Sequence, residues 1–472
     1  MTPRAHEAAV DEAAVDEAAA TVGGAAAGRA SGGGAAGGGR AAIRFNPFGA
    51  EFRRDPYPLY RRMREAQPVH RTMGMWVLTR HADVQGVLRD RTFSAGLIPQ
   101  LVSRRAGQLA RANVDRVVRL GEKSLVFTDN PDHARLRGLV NRVFTATEVA
   151  ALRPRVEEVA GGLVRRALAA GGMDAIADLA APLPVTVMCD WMALPDGLRA
   201  QVGPWTHDIR FLLEPGLMRA GDFEHVCDVV ETFARALDGV VAERRQRPGG
   251  DLISRLLAAR TAGGDALTPE ELIFVCIMCF VAGNETTKSL LGNGLLALLR
   301  HPDQAARLHR APELAGDAVT EALRYDSPLQ MTKRVATRDV YVDGRRIRAG
   351  DQVLLCLGAA NRDPAVFDRP DEFDVTRAPK AHLAFGHGMH GCLGGLLAEM
   401  QAQVVFECLF GATTSIEPRT DQLEWQDHSS IVRGLRHLPV TLHAAGTVLP
   451  RALPHAAGAA RPAGAASPEA SR

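Results

Sequence analysis

Residues Phe385–Gly394, FGHGMHGCLG, set four glycines and two histidines around one cysteine, just ahead of the apolar run LLAEMQAQVVFECLF. Cysteine beside histidine suggests a metal. Zinc asks for four ligands. His387, His390 and Cys392 are three at cramped spacing, and no second Cys/His cluster follows at a plausible distance. One thiolate holding iron is easier to justify. The apolar run patterns as a helix, which puts Cys392 at its N-terminus. There the macrodipole and the free N–H groups of Leu393, Gly394 and Gly395 favour the anion and lower its pKa. Glycines let backbone lie flat against a large planar ligand. A glycine-rich turn around an inert buried cysteine satisfies the same residues.

A second constellation interrupts the segment TPEELIFVCIMCFVAGNETTKSLLGNGLLALLRHP. Thr268 as cap, Pro269 in the first turn and Glu271 three residues after the cap form a capping box, and the helix ends before His301-Pro302. Its 32 or so residues make a rod of about 48 Å. The first half is apolar nearly all round and so must be buried. Buried polar groups need partners or a job, and Glu285-Thr286 is an acid beside an alcohol, suited to moving protons. A polar stripe facing solvent is the alternative. Glu321 and Arg324 lie three apart, His133 and Arg137 four apart, each on one helix face. Taken singly, these read as solvated charges. Cys276 and Cys279 form a C-x-x-C inside the apolar helix, where small core side chains explain them better than redox chemistry.

The elements that must position these groups are mostly helical: HARLRGLVNRVF, VEEVAGGLVRRALAA, VVETFARALDGVVAERR and DAVTEALRY. Strand patterns cluster at Met75–Thr79, Asp339–Leu357 and Leu438–His443, with a hairpin turn at Asp343-Gly344. The expected fold class is mainly α with small antiparallel β-sheets, in one large domain over residues 43–445. Residues 1–42, with AAVDEAAVDEAAA and a Gly/Ala-rich stretch, and residues 446–472, rich in Ala and Pro, read as disordered low-complexity tails. The 56 basic and 54 acidic side chains give no excess that would argue for nucleic acid. Seven cysteines, an odd number in a long chain, argue against a disulfide framework and fit a reducing cytoplasm. The N-terminal residues carry acids and no apolar core, unlike a secretory signal. The longest apolar run, Leu272–Gly283, falls short of the roughly 20 residues a bilayer needs, so no membrane is expected.

FGHGMHGCLG resembles the haem-thiolate loop of the cytochrome P450 family, Phe-Gly-x-Gly-x-His-x-Cys-x-Gly. The remaining motifs follow in the family's order from about Asn46 to His443. GNETT after Ala282 resembles the Ala/Gly-Gly-x-Asp/Glu-Thr signature, EALR the Glu-x-x-Arg, HARLR the His-x-x-x-Arg of the propionate-binding helix, and NRDPAVFDRPDEFDVTR the meander before the cysteine loop. The resemblance implies haem b with Cys392 as axial thiolate, which favours O–O cleavage. Phe385 would pack beside the sulfur and Gly386 open the loop. His133, Arg137, Arg334 and His382 would face the two propionates. Glu285 and Thr286 would deliver protons to O2. Glu321 and Arg324 would pair structurally, with a meander partner at Arg369. No C-x-x-C-H occurs, so the haem is not covalently attached. Departures from the pattern are Gly391, Glu399 and Gln401, the last two near the surface where the family docks electron donors.

The implied activity is insertion of one oxygen atom from O2 into a C–H or C=C bond by a soluble bacterial monooxygenase, cytoplasmic and monomeric. Electrons would come from a separate ferredoxin and ferredoxin reductase docking near Glu399 and the arginines after His133. The pocket is expected along Leu97–Leu125, His207–Met218, Val281, Leu329, Gln330, Ser430 and Ile431. Its apolar character suggests a lipophilic small molecule such as a polyketide, terpenoid or peptide. A peroxide-driven peroxygenase and a non-catalytic partner of another biosynthetic enzyme are the rivals. Retention of Cys392, Glu285 and Thr286 argues against both.

Overall fold

The computed structural model describes residues 43–107, 114–214, 218–378, 381–427 and 429–446. The expected tails, 1–42 and 446–472, lie outside the described residues apart from Gly446. The scaffold is organised around the helix Pro269–Arg300, which begins and ends where its sequence signals place it. The Thr268 hydroxyl accepts from the Glu271 N–H at 3.2 Å, and the Glu271 carboxylate accepts from the Thr268 N–H at 2.9 Å. Two orphan donors of the first turn are thereby satisfied. The helix is long and apolar enough to cross a membrane. Here it is the core rod instead, packed by the helices Pro182–Trp191, Asp196–Ile209, Ala220–Gln246, Ala315–Tyr325 and Gly395–Ala412. Asn293 pins its second half, donating to the carbonyls of Asp326 (3.2 Å) and Arg433 (3.0 Å).

Among the described residues, ten strands form three sheets. β1 (Val69–Thr72), β2 (Met75–Leu78), β3 (Phe93–Ser94), β5 (Met331–Ala336) and β8 (Gln352–Cys356) make the largest, in the order β1-β2-β8-β5-β3. β4 (Gly172–Asp174), β9 (Thr413–Pro418) and β10 (Pro439–Ala444) make a second, and β6 (Val340–Val342) with β7 (Arg345–Ile347) the third. The two smaller sheets are antiparallel as expected, but β2 runs parallel to β8 in the largest. A parallel neighbour requires a long crossover, which local alternation cannot reveal. The hairpin turn falls at Asp343-Gly344, with φ of 47° and 71°, the left-handed pair that a two-residue turn demands.

On the helix Ala315–Tyr325, Glu321 and Arg324 form the expected structural pair, both almost fully buried. Arg324 Nε and Nη2 donate to the two Glu321 oxygens at 2.8 Å each, and the guanidinium also donates to the carbonyls of Asn361, Pro370 and Glu372. The third member is not Arg369. Arg377 donates to Glu321 Oε1 at 3.0 Å, whereas Arg369, at φ 42°, turns outward to Glu372. All five Arg324 N–H groups and both Glu321 oxygens are engaged, which is what a buried ion pair needs to be tolerable.

Candidate active site

The cysteine loop is a set of tight backbone closures. Gly386 N–H bonds Leu383 O (2.9 Å), Gly391 N–H bonds Gly388 O (3.1 Å), and Cys392 N–H bonds Phe385 O (2.8 Å). Gly386 and Gly388 sit at φ 68° and 69°. A Cβ on Gly388 would lie 2.8 Å from the Leu88 carbonyl, so no other residue fits there without displacing the helix His81–Arg89. His387 is taken up by that helix too, accepting from Arg89 Nε at 2.7 Å. No group of three metal-ligating residues exists among the described residues, which disposes of the zinc alternative.

Cys392 opens into a cavity of about 3440 Å³ that Ala282, Gly283, Glu285 and Thr286 of the long helix also line. The thiol is exposed to this cavity. The helix itself begins at Gly395, two residues further on than the sequence suggested, so Cys392 precedes its first turn. Although the residue is open to the cavity, the protein packed around the sulfur disfavours its anion and pushes the thiol pKa up rather than down. The N–H groups of Gly394 and Gly395 and the Arg137 charge work in the opposite direction. Phe385 packs over Gly395, its ring 3.4 Å from where a Cβ would stand. The structure thus brings Cys392, Phe385 and Gly386 together at one end of the cavity lining.

Along the lining lies a group of nitrogen donors. His133 is buried, and its ring meets that of His390 at a tilt of 59°, with centroids 4.4 Å apart. His133 Nε2 and both ring nitrogens of His390 lack a hydrogen-bond partner. Asp129 Oδ1 stops 3.6 Å short of His390 Nε2. Arg137 donates to Gly391 O (2.8 Å), and buried Arg334 bonds only Lys333 O (2.7 Å) and Thr332 Oγ1 (3.2 Å). Burial depresses every one of these bases: His390 to about 4, Arg334 to about 10, and His133 and Arg137 below their usual ranges. Unpartnered imidazole nitrogens of His133 and His390, beside two arginines that each bond through one guanidinium nitrogen only, fit a flat, dianionic group beside the thiol. Of the four expected carboxylate-binding residues, His382 is the exception. It does not line the cavity, its ring lies 5.7 Å from Phe385, and its Nδ1 is buried without a hydrogen-bond partner. His390, two residues from the cysteine and read from the sequence only as a rejected zinc ligand, occupies that role's position.

On the long helix, Glu285 and Thr286 differ in their ties. The Thr286 hydroxyl donates back to Ala282 O at 2.6 Å. Glu285 pairs with Lys288 Nζ (2.7 Å) and accepts from Gln426 Nε2 (2.5 Å). Burial opposes its charge, but Lys288 and Arg210 outweigh that and hold the carboxyl below its usual range. The expected substrate-lining positions Leu97, Leu125, Val281, Leu329, Ser430 and Ile431 do line the cavity. Gln330 does not, being held by Tyr57 Oη and Ser327 O, and residues 108–113 of the expected loop lie outside the described residues. The lining is also less apolar than expected, since Arg210, Glu214 and Lys333 face it.

The family model "Cytochrome P450" matches residues 220–433. The "Biotin biosynthesis cytochrome P450" of Bacillus subtilis is 34% identical over 397 residues, covering 83% of this chain and 97% of that protein. The chain belongs to the cytochrome P450 family. "Cytochrome P450 monooxygenase PikC" of Streptomyces venezuelae is 35% identical, covering 83% of this chain and 92% of its own. The crystal structure of CalO2 superposes with a TM-score of 0.79 at 35% identity, over 85% of this chain and 99% of the other. P450 enzymes are haem b monooxygenases acting on small molecules with O2 and redox partners, and the donors described above suit that cofactor. Of the positions set apart from the family pattern, Gln401 is buried and lines the cavity instead of facing a partner, and Glu399 is half-buried with its pKa raised by burial. Arg135 pairs with Glu271 and Asp265, so among the arginines after His133 it is Arg142 that is exposed.

Proposed function

We propose that this P450 inserts one atom of O2 into a C–H or C=C bond of a lipophilic natural product, and that the Cys392 thiolate would hold the iron of haem b. The observation that carries the reading is that Cys392 and the Glu285-Thr286 pair line one cavity. Bound haem b supplies the redox chemistry. The second oxygen atom leaves as water, which consumes two protons and two electrons. The chain contributes the rest. Gly394 and Gly395 point N–H groups at the Cys392 sulfur and stabilise its anion. His133, Arg137, Arg334 and His390 offer N–H donors to the two carboxylates. The Thr286 hydroxyl, released from Ala282 O by rotation about χ1, donates a proton on the cavity side, and the adjacent Glu285 resupplies it. The electrons come from a cytoplasmic ferredoxin and its reductase, since each motif found in the chain belongs to the haem fold itself. The enzyme works as a monomer.

The test is Cys392→Ser in the haem-loaded protein. The thiolate signature of the reduced carbon monoxide complex should vanish, and O2-dependent product with it. A variant that kept that signature would overturn the assignment. Product formed with peroxide but never with O2 plus ferredoxin and reductase would favour a peroxygenase instead.

A further inference from the structure

Consecutive strand residues point to opposite faces of a sheet. Arg334 of β5 stands over the His133–His390 group, so its neighbour Lys333 faces the other way. Lys333 is paired across the ladder with Leu354 of β8. On that face Leu354 belongs to an apolar cluster with Met331, Phe45 and Val77, against which Met75 and Ile431 pack. Lys333 nevertheless lines the main cavity, alongside Met75, Leu354 and Ile431. An ammonium in an apolar wall is costly unless something answers its charge.

The other anions that line the cavity are already engaged, and the second cation on this wall, Arg210, lies over the Phe211 ring 4.6 Å away. Glu285 has Lys288 and Gln426, Asp208 has His225 at 2.9 Å, and Asp427 has Arg436. The anion whose field reaches Lys333 is Glu214. Its carboxylate is already committed, accepting from Ser429 Oγ (2.5 Å), from Ser430 N–H (3.2 Å to each oxygen) and from Ser430 Oγ. Those bonds fasten the turn at Ser429-Ser430. Lys333 Nζ has no hydrogen-bond or ion-pair partner among the described residues. Burial pulls its pKa down, with Glu214 pulling the other way. A desolvated, unanswered cation beside an apolar surface is a site for an amphipathic anion.

We infer that Lys333 determines specificity and that the substrate is a lipophilic carboxylic acid whose carboxylate pairs with the Lys333 ammonium. This deepens the monooxygenase reading of the same cavity and rests on it. The hydrocarbon body lies along Met75, Leu354 and Ile431, and the carboxylate fixes which carbon reaches the reacting end. Removing the charge therefore changes affinity for acids without changing affinity for neutral analogues.

The experiment titrates the resting haem-loaded protein with matched pairs, following the ligand-induced spin-state change: dodecanoic acid and methyl dodecanoate, abietic acid and methyl abietate. A charge-assisted bond predicts that at least one acid binds about 10- to 100-fold more tightly than its ester. Lys333→Met, which keeps the length and apolar stem, should bring that ratio to near one while the ester's affinity holds. Lys333→Arg should retain most of the preference. Acids that bind no better than esters to the unaltered protein, or that fail to bind at all, overturn the inference. So does a preference that survives in Lys333→Met. An unchanged carbon monoxide spectrum shows that each variant is folded around its haem. If the monooxygenase reading were wrong and this one right, acids would bind tightly and no O2-dependent product would form.

Discussion

The imidazoles of His133 and His390 meet with ring centroids 4.4 Å apart, although one comes from the helix Asp132–Asn141 and the other from the cysteine loop. Both carry ring nitrogens that nothing in the protein satisfies. Two buried imidazoles with unpartnered nitrogens are poor structural elements but good donors to a ligand carboxylate. His133→Ala and His390→Ala should each weaken haem retention by about tenfold or more, the value of one charge-assisted hydrogen bond. The readout is the rate of haem transfer to excess apo-globin. His382→Ala, altering a residue outside the cavity, should leave that rate unchanged.

The buried Glu321 carboxylate is shared by Arg324 and Arg377. Arg324→Met leaves that charge without its bidentate partner and should cost about 3–5 kcal/mol. Arg377→Met removes the second partner of the same carboxylate and should cost about 1–3 kcal/mol. Arg369 is exposed and bonds its neighbours Glu372 and Asp368, so Arg369→Ala should stay within about 0.5 kcal/mol. Urea midpoints of the three variants give the order directly. Equal losses for Arg369 and Arg377 would contradict it.

The contrast between Arg369 and Arg377 also marks where the sequence stops being readable. Signals that act within a few residues were legible: the Thr268–Glu271 box set the start of the long helix, and Asp343-Gly344 set its hairpin. The cysteine loop was legible as a string because the positive φ of Gly386 and Gly388 requires glycine. Side-chain direction inside irregular segments was not. Nothing periodic in the meander says that Arg369 turns outward while Arg377 turns in, or that His390 faces the cavity while His382 does not. β5 escaped notice because QMTKRVA mixes charge with apolar residues, and its pairing to β8 and β3 is formed at long range. The Lys333 charge on the pocket wall escaped with it, whereas its neighbour Arg334 was placed by the family resemblance and not by any strand pattern.

Glu285 owes its low pKa to Lys288 and Arg210, against burial. Lys288→Met removes the nearer cation, so the carboxyl pKa should rise. Glu285 then protonates at higher pH than in the unaltered enzyme. The acid limb of product yield per electron pair should move to higher pH in Lys288→Met. A purely structural lysine would leave that limb in place. Thr286→Ala should uncouple the enzyme at every pH, diverting most reducing equivalents to hydrogen peroxide. Peroxide and product measured together decide both cases.

His382 offers a pH dependence that is independent of the chemistry. Burial beside Arg324 lowers its pKa from 6.5 to about 4 in the folded chain. Between those values the unfolded state binds the proton and the folded state does not, so stability rises with pH across the window. The contribution is fully present above 6.5 and is lost as pH falls toward 4. A shift of this size corresponds to at most about 3 kcal/mol. His382→Gln cannot take up the proton, so its urea midpoint should fall less steeply over this range than that of the unaltered protein. Parallel pH profiles for the two would show that His382 is not held neutral.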